Sequence, residues 1–473
     1  MIRRWVRPTD AGLLAGTAIG VYLLLIAGAT AALADAAGAC STWPTCSGSL
    51  ADPSVLVAIG HRIAAALVAV LVLWTAVRVL RSDASRRVRG AVAVALVLYP
   101  AQVLLGAVVS TAGNTVPVPG LHLAVGVGIF GTLVLALAWH LESETGADDA
   151  TSEPAVADGS AVAADDGASP APTGTPLAER SLPARVRARV LAYARLTKPR
   201  LMWLLCLVAA AGMALAAAPG QALTVRTVVL TLGGGVLAIG ASGTFNHVIE
   251  RDTDKRMNRT SDRPVATHQV PVRRATLFGL VLAAASLLVF WQVNALAAAL
   301  GLIAILFYSV IYTVVLKPNT VQNTVIGGAA GALPAMIGWA AVTGKVGLPG
   351  LALAGVIFLW TPAHFYNLAL AYQEDYARGG FPMMPVVRGE TTTRKHILLW
   401  LAATLAGAAA LIWLTPLGWL SAATTVALGA VFLWAVVDLH REQTEQAAFR
   451  AFHASNAYLG LFLIAIVVDA LAV

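Results

Sequence analysis

Long apolar stretches separated by short polar segments make up most of this chain. Thirteen of them reach the length of about 20 residues that a helix needs to cross a hydrocarbon core roughly 30 Å thick. The predicted spans lie near 11–34, 54–80, 90–111, 120–140, 200–218, 224–246, 273–293, 295–316, 321–343, 348–371, 396–414, 417–437 and 452–472. The pattern predicts an all-α multi-span membrane protein.

One acidic segment, 142–178, interrupts this pattern. It contains eight acidic residues, no basic residue, and many Ala, Ser, Gly and Pro. Such a composition buries too little apolar surface to offset the entropy of ordering, so it predicts a disordered tether. We therefore expect a four-helix module at 1–141, a disordered acidic linker at 142–183 and a nine-helix domain at 184–473.

The charges predict an orientation in the membrane. Only 12% of residues are charged, and the net charge of +8 comes mostly from Arg at the ends of spans. This distribution reports topology and contact with lipid headgroups, and it does not indicate nucleic acid. With the N-terminus in the cytoplasm, thirteen spans place nearly every basic cluster inside. We expect a multi-pass plasma-membrane protein whose two most polar loops, 246–272 and 372–390, share the cytoplasmic face.

The segment NHVIERDTDKRMNRTSDRP, residues 246–264, carries four acidic and five basic side chains directly after an apolar run. Asn246, Glu250 and Asp254 recur at four-residue spacing, so a helix presents their oxygens on one face. Hard oxygen ligands at a membrane surface, with basic residues interleaved, suit Mg²⁺ and a diphosphate. The segment therefore predicts an enzyme that acts on a prenyl diphosphate.

A second polar segment, 372–389, completes the predicted cleft with Tyr372 and Asp375 as further catalytic residues. Asp375 would bind Mg²⁺ together with Asn246, Glu250 and Asp254. The cations expected to contact the phosphates are Arg251, Lys255, Arg259 and Arg263.

Inner-loop charges that only set topology are the alternative interpretation. It is preferred for Arg273, Arg274, Arg394 and Lys395. For the acids it is not preferred, because Asp and Glu contribute little to topology and are costly near a membrane.

The first polar segment resembles the N-x-x-x-D-x-x-x-D motif of the UbiA superfamily of intramembrane prenyltransferases, with Glu250 where Asp is usual. Three further segments resemble the haem-directed branch, the protohaem IX farnesyltransferases or haem O synthases. They are M-x-R-T-x-x-R-P at 257–264, WTPAHF at 360–365, and YQEDYARGGFPMMPVV from residue 372. The chain departs from the pattern at Ala363, where a second Pro is expected, and in having Y-x-x-D as its second motif.

The resemblance covers about 190–473 and implies a nine-helix UbiA-type bundle. It also implies transfer of a farnesyl group from farnesyl diphosphate to a vinyl carbon of haem B, with water completing a hydroxyethylfarnesyl substituent. His364 would then contact haem, with a structural role as the alternative. Lys317 would contact a phosphate or a haem propionate, with a topology anchor as the alternative.

In the first four spans, His61 and His122 lie near the outer starts of the second and fourth spans, at similar depth. Two such histidines can supply axial nitrogens to one haem between helices, although a His near a span end is often only interfacial. Cys40 and Cys46 share one loop and can form a local disulfide if that loop faces an oxidising side.

These residues, with Gln102, resemble one four-helix half of haem A synthase, a family that pairs two such halves. A homodimer or a haem A synthase partner would supply the second half. The family's acidic residue shortly before the first His is missing, since Val57–Ile59 occupy those positions.

Two other functions remain open. A UbiA-type enzyme could prenylate a quinone precursor or a lipid alcohol, against which the Y-x-x-D and WTPAHF segments weigh. A haem-binding or transport protein could retain vestigial acidic motifs, against which the intact set of Asn246, Glu250 and Asp254 weighs.

Overall fold

The computed structural model describes residues 9–33, 36, 38–40, 42–112, 117–146, 181–218 and 220–472. Thirteen helices in these residues are long and apolar enough to cross a membrane, as the sequence predicts. Most of the predicted linker, residues 147–180, lies outside the described residues.

The first four spans form an N-terminal helical module. Their helices are α1 (Asp10–Leu33), α2 (Pro53–Leu80), α3 (Arg86–Ala112) and α4 (Val118–Thr145).

The rest of the chain adds nine spans and several short helices. In chain order these are α5 (Leu182–Leu196), α6 (Pro199–Ala217), α7 (Val225–Ile249), α8 (Arg251–Asp254), α9 (Val272–Trp291), α10 (Ala295–Leu306), a π-helix (Phe307–Leu316), α11 (Lys317–Asn319), α12 (Asn323–Thr343), α13 (Leu348–Ala371), α14 (Gln373–Gly379), α15 (Met384–Arg388), α16 (Glu390–Leu414), α17 (Trp419–Glu442) and α18 (Glu445–Ala472).

Polar caps fix where several spans begin. The Asp52 side chain accepts a hydrogen bond from the Ser54 amide at 2.9 Å, and Pro53 opens α2. Thr224 caps α7 in the same way, and Asn294 caps α10. These side chains satisfy amides that have no partner within the helix, which is why each span starts at the end of its polar loop.

Two spans begin about two turns earlier than the apolar pattern predicts. Helix α16 starts at Glu390 and α18 at Glu445, whereas the apolar stretches start near 396 and 452. In α16 the extra turns are stabilised by an ion pair between Arg394 and Glu390 at 3.0 Å, four residues apart. The apolar stretches therefore predict the membrane-embedded part of these helices and leave out their polar ends.

The two modules share one hydrophobic core. Helices α1 and α4 pack against α16 and α17, and one continuous cluster of buried residues extends through both modules. The Tyr22 hydroxyl is hydrogen-bonded to Thr425 at 2.8 Å, and Thr425 is hydrogen-bonded to Tyr458 at 3.1 Å. The N-terminal module is thus docked on the larger bundle through packing and buried polar contacts.

Two contacts show which helix ends share one face. Lys395 in α16 forms an ion pair with Glu142 in α4, and Arg441 in α17 donates to Thr9 before α1. The loops 250–271 and 372–389 lie on this same face, which we call the site face. Arg394 and Lys395 also form ion pairs in this region, with Glu390 and Glu142, and Arg394 is only 2% exposed. The interpretation that these two residues only set topology therefore leaves out their structural contacts.

Candidate active site

The last turn of α7 and the short helix α8 carry the predicted acidic motif. Asn246, Glu250 and Asp254 are 2%, 5% and 1% exposed. The Glu250 amide donates to the Asn246 carbonyl at 2.9 Å, and the Asp254 amide donates to the Glu250 carbonyl at 2.8 Å. Helical spacing therefore continues through the motif and places the three side chains on one face.

Each oxygen-bearing side chain of this motif is paired with a cation from another part of the chain. Lys198 donates to the Asn246 amide oxygen, and Lys317 donates to Glu250 at 2.5 Å. Arg263 donates to both oxygens of Asp254, at 2.8 and 2.9 Å, and lies 3.6 Å from Glu250. We call these six side chains the cation–carboxylate centre. Three cations and two carboxylates leave it net positive.

Burial and neighbouring charges shift the ionisation of this centre. Burial alone would raise the pKa of Glu250, but Lys317, Lys198 and Arg263 hold it below its ordinary value. Burial raises the pKa of Asp254, although Arg263 opposes the shift. Burial and the nearby Arg263 lower the pKa of Lys198 to about 7. Because the charged form of Lys198 is poorly solvated, a bound anion would stabilise this protonated form.

Lys198 is a member of the centre that sequence reasoning missed. It lies between α5 and α6 with a φ of 53°, a backbone conformation that residues other than Gly rarely adopt. The turn crosses α7 at Gly243, where an added Cβ would lie 2.9 Å from the Leu196 carbonyl oxygen and 3.3 Å from Lys198 Cγ. The signal in the sequence was a Lys directly before the Pro that opens a span.

The π-helix supplies a second feature that the sequence did not reveal. Its Thr313 hydroxyl accepts a hydrogen bond from the Asn246 side-chain amide at 3.4 Å, and its Tyr308 hydroxyl accepts from Lys198 at 3.3 Å. The wider turn leads directly to Lys317, whose amide donates to the Tyr312 carbonyl five residues earlier. One irregular segment thus orients Asn246, Lys198 and Lys317.

Asp375 and Tyr372 contact the loop that follows the acidic motif. The Asp375 carboxylate accepts the amides of Asn258 at 3.1 Å and Arg259 at 2.9 Å, and it pairs with Arg378. Burial opposes ionisation of Asp375, but Arg378 and the two amides lower its pKa. The Arg259 guanidinium lies 4.7 Å from the centre of the Tyr372 ring. The second motif therefore anchors this loop.

The donor set of the centre fits Mg²⁺ in company with a diphosphate. Within the residues that the structure describes, no group of three or more His, Cys, Asp or Glu side chains is placed to hold a metal ion. Glu250 and Asp254 do lie together, since both contact Arg263. Mg²⁺ is commonly held by one or two carboxylates with substrate phosphates completing its shell, which these two buried acids can provide.

Three other predicted residues lie apart from the centre. Arg251 and Lys255 pair with the exposed Asp252 at 3.1 and 3.2 Å. The His364 ring is stacked between Trp360 and Phe452, and its Nδ1 is hydrogen-bonded to Ser455 at 2.7 Å. Contact of His364 with haem stays a prediction.

In the N-terminal module, Nδ1 of His61 and of His122 is buried without a hydrogen-bond partner. Gly28 lies beside the His61 ring and Gly106 beside the His122 ring, where an added Cβ would approach ring atoms at 3.5 and 3.2 Å.

At the opposite face, Cys40 and Cys46 form a disulfide with a Cα–Cα distance of 5.0 Å. The Arg62 guanidinium donates to carbonyls of this loop at 2.9 Å. The loop is thereby attached to α2.

Comparison with known proteins identifies the class. Residues 185–462 match the UbiA prenyltransferase family, and the chain belongs to that family. It is therefore a membrane prenyltransferase, as the motifs predicted.

Individual relatives narrow the class. The chain is 66% identical to a protohaem IX farnesyltransferase of Haloarcula marismortui, over 98% of this chain and 99% of the relative. It is 44% identical to protohaem IX farnesyltransferase 1 of Saccharopolyspora erythraea, over 60% of this chain and 91% of that protein. The predicted resemblance to the haem-directed branch is confirmed. The Saccharopolyspora protein is also a protohaem IX farnesyltransferase, although it matches only 60% of this chain.

One solved structure agrees with the fold. A structure described as digeranylgeranylglyceryl phosphate synthase in membranes has a TM-score of 0.51 and 15% identity, covering 60% of this chain and 99% of its own. At this identity the likeness shows the fold alone.

Proposed function

We propose that this chain transfers a farnesyl group from farnesyl diphosphate to a vinyl carbon of haem B, giving haem O for cytochrome oxidase. The observation that carries the proposal is the cation–carboxylate centre, a net positive, buried set of side chains at the site face. The high identity to the Haloarcula protein supports haem B as the acceptor.

The side chains of the centre would change partners when the diphosphate binds. Lys198, Arg263 and Lys317 now pair with Asn246, Asp254 and Glu250. Phosphate oxygens would take over the three cations through charge-assisted hydrogen bonds, leaving the carboxylates for the metal. Glu250 and Asp254 would hold Mg²⁺, which would supply neutralising charge to the diphosphate leaving group.

Farnesyl transfer also requires protection of a carbocation. Tyr308 and Tyr312 on the π-helix have ring centroids 5.5 Å apart, next to Lys198. Their ring faces would stabilise the allylic cation and exclude water. The vinyl carbon of haem B then forms the new C–C bond, water adds to the resulting cation beside the ring, and one proton is lost. The product carries the hydroxyethylfarnesyl group.

For Asp375 we propose a positioning role. Its carboxylate already accepts two backbone amides and pairs with Arg378. These bonds fix the loop that carries Arg259 and Arg263, so Asp375 would act through those two arginines. The site face would be cytoplasmic, in keeping with the basic clusters on that side.

We further propose that the N-terminal module binds a haem between His61 and His122. Two buried, unpartnered imidazole nitrogens and two glycines beside the rings support this proposal. Because haem A synthases pair two such halves, a second copy of this chain or a haem A synthase would be its partner. Purified His61→Ala protein should lose its haem absorbance, and an unchanged spectrum would remove this assignment.

A single assay tests the reaction. Membranes that contain the chain are incubated with haem B, farnesyl diphosphate and Mg²⁺, and mass spectrometry measures the hydroxyethylfarnesyl adduct. We expect Asp254→Asn to abolish product and Asp252→Asn to retain it, because Asp252 is exposed and outside the centre. Full activity of Asp254→Asn would contradict the mechanism. If haem B gives no product and a quinone precursor or a lipid alcohol in its place does, the alternative prenyltransferase function is favoured.

A further inference from the structure

Helix α5 has an exposed apolar stripe that the prenyl-transfer site does not use. Leu182, Val186 and Val190 follow one another at four-residue spacing and are 68%, 52% and 62% exposed. At about 100° per residue these positions form a single strip along the helix. Helix α5 has 15 residues, which is too short to span a membrane. The stripe must therefore contact an apolar partner without α5 crossing the membrane.

The buried C-terminal half of α5 fixes where the helix lies. Ala192 and Leu196 are buried against Val265 and Ala275, with Val248 packed on the same cluster. Val248 lies in the last turn of α7, and Ala275 lies in the first turns of α9. Helix α5 is thus held at the site-face ends of two membrane spans, which is the level of the lipid headgroups.

The charges of α5 select the chemistry of the neighbour. The helix has four arginines, Arg185, Arg187, Arg189 and Arg195, and no acidic residue. On the helical wheel Arg189 flanks one side of the stripe and Arg187 the other, both exposed. An apolar strip between basic side chains is typical of helices that lie in the plane of an anionic membrane surface.

We propose that α5 is an interfacial helix that binds anionic phospholipid headgroups through its arginines and seats Leu182, Val186 and Val190 among the upper acyl chains. The bilayer that surrounds α7 and α9 necessarily reaches the level of α5, whereas a protein partner would have to displace it. Arg195 is directed elsewhere, since it pairs with Asp262 at 2.5 Å.

Fluorescence of the full chain in nanodiscs tests the proposal. In a Cys206→Ser background, Val190→Cys carries an environment-sensitive label; Cys40 and Cys46 are bonded to each other and do not react. Gln446→Cys is the control, because it is exposed in the first turn of α18 on the same face. Nanodiscs contain phosphatidylcholine, alone or with phosphatidylglycerol.

We expect the Val190 label to be quenched by lipids with a nitroxide near the headgroup and shielded from iodide, more so with phosphatidylglycerol. The Gln446 label should show the reverse. Adding Arg187→Gln and Arg189→Gln should remove the effect of phosphatidylglycerol. Equal iodide quenching at both positions would overturn the proposal, as would identical results in the two lipids. A Val190 label shielded from both quenchers would place a protein on the stripe and overturn it too.

Discussion

At the scale of single residues, Lys198 provides a sharp test of the centre. It contacts Asn246 and Tyr308 in a backbone conformation that costs free energy, which suggests a specific role for its charge. Replacement by Met keeps the length of the side chain and removes the cation. A charge-assisted hydrogen bond contributes about 1.5–3 kcal/mol, so kcat/KM for farnesyl diphosphate should fall roughly 10- to 150-fold.

The control for this variant is Arg200→Met, which removes an exposed cation two residues away. Steady-state kinetics with farnesyl diphosphate as the varied substrate checks both. An equal loss in the two variants would contradict a specific role for Lys198 and would indicate a general effect of charge near the start of α6.

Gly243 tests whether the turn that carries Lys198 must approach α7 closely. Because an added Cβ would lie 2.9 Å from the Leu196 carbonyl oxygen, Gly243→Ala must displace this backbone. We expect a folded protein with roughly 5- to 150-fold lower activity, if the cost of overpacking, about 1–3 kcal/mol, is borne by the turn that carries Lys198. Gly235→Ala in the same helix has open space around the new methyl group and should keep full activity. Unchanged activity of Gly243→Ala would argue against the close approach.

The residues of the centre differ in how well sequence reasoning finds them. Asn246, Glu250 and Asp254 are found because helical spacing and the cost of acids near a membrane identify them together. The longer side chain of Glu250 is accommodated by Lys317, 67 positions away in the chain. Lys198 was missed because its proximity depends on how α6 crosses α7, and local pattern does not contain that information.

At the scale of elements, the loop between α8 and α9 depends on Asp375 for its position. Asp375→Ala removes the acceptor for two backbone amides and leaves Arg378 unpaired. The amides of Asn258 and Arg259 should then exchange hydrogen faster, and KM for farnesyl diphosphate should rise because Arg259 and Arg263 lose their support. Hydrogen exchange followed by mass spectrometry checks the first effect, and kinetics checks the second.

Glu374→Ala is the matched control, since Glu374 is the exposed neighbour of Asp375. It should leave hydrogen exchange in the loop unchanged. Loss of activity in Asp375→Ala without faster exchange would favour direct participation of Asp375, as a metal ligand, over the positioning role.

Elements were predicted well where apolar length decides and poorly where polar contacts decide. The spans follow from hydropathy because lipid requires every backbone amide to be bonded within its helix. The early starts of α16 and α18 depend on polar residues such as Arg394, which hydropathy counts against a helix. The π-helix is invisible to the pattern, since Phe307–Leu316 reads as part of one continuous apolar span.

At the scale of the whole molecule, the docking of the N-terminal module was not predicted. An acidic segment between two sets of spans suggests separate bodies on a tether. Inside a membrane, however, apolar area alone gives little drive to associate, and helices join through close packing and polar contacts. The chain of Tyr22, Thr425 and Tyr458 and the Lys395–Glu142 pair supply such contacts between the modules.

Cutting the chain between residues 160 and 161 tests this docking. With a protease site inserted there and an affinity tag after residue 473, the N-terminal module should stay bound to the tagged domain in mild detergent after cleavage. Tyr22→Phe combined with Lys395→Gln should release more of it, because each buried or charged hydrogen bond contributes about 0.5–3 kcal/mol. Tyr99→Phe removes a bond within the N-terminal module, from Tyr99 to the Ala65 carbonyl at 2.7 Å, and should release none. Elution of the unsubstituted module apart from the tagged domain would show that the linker, and not the shared core, holds the two together.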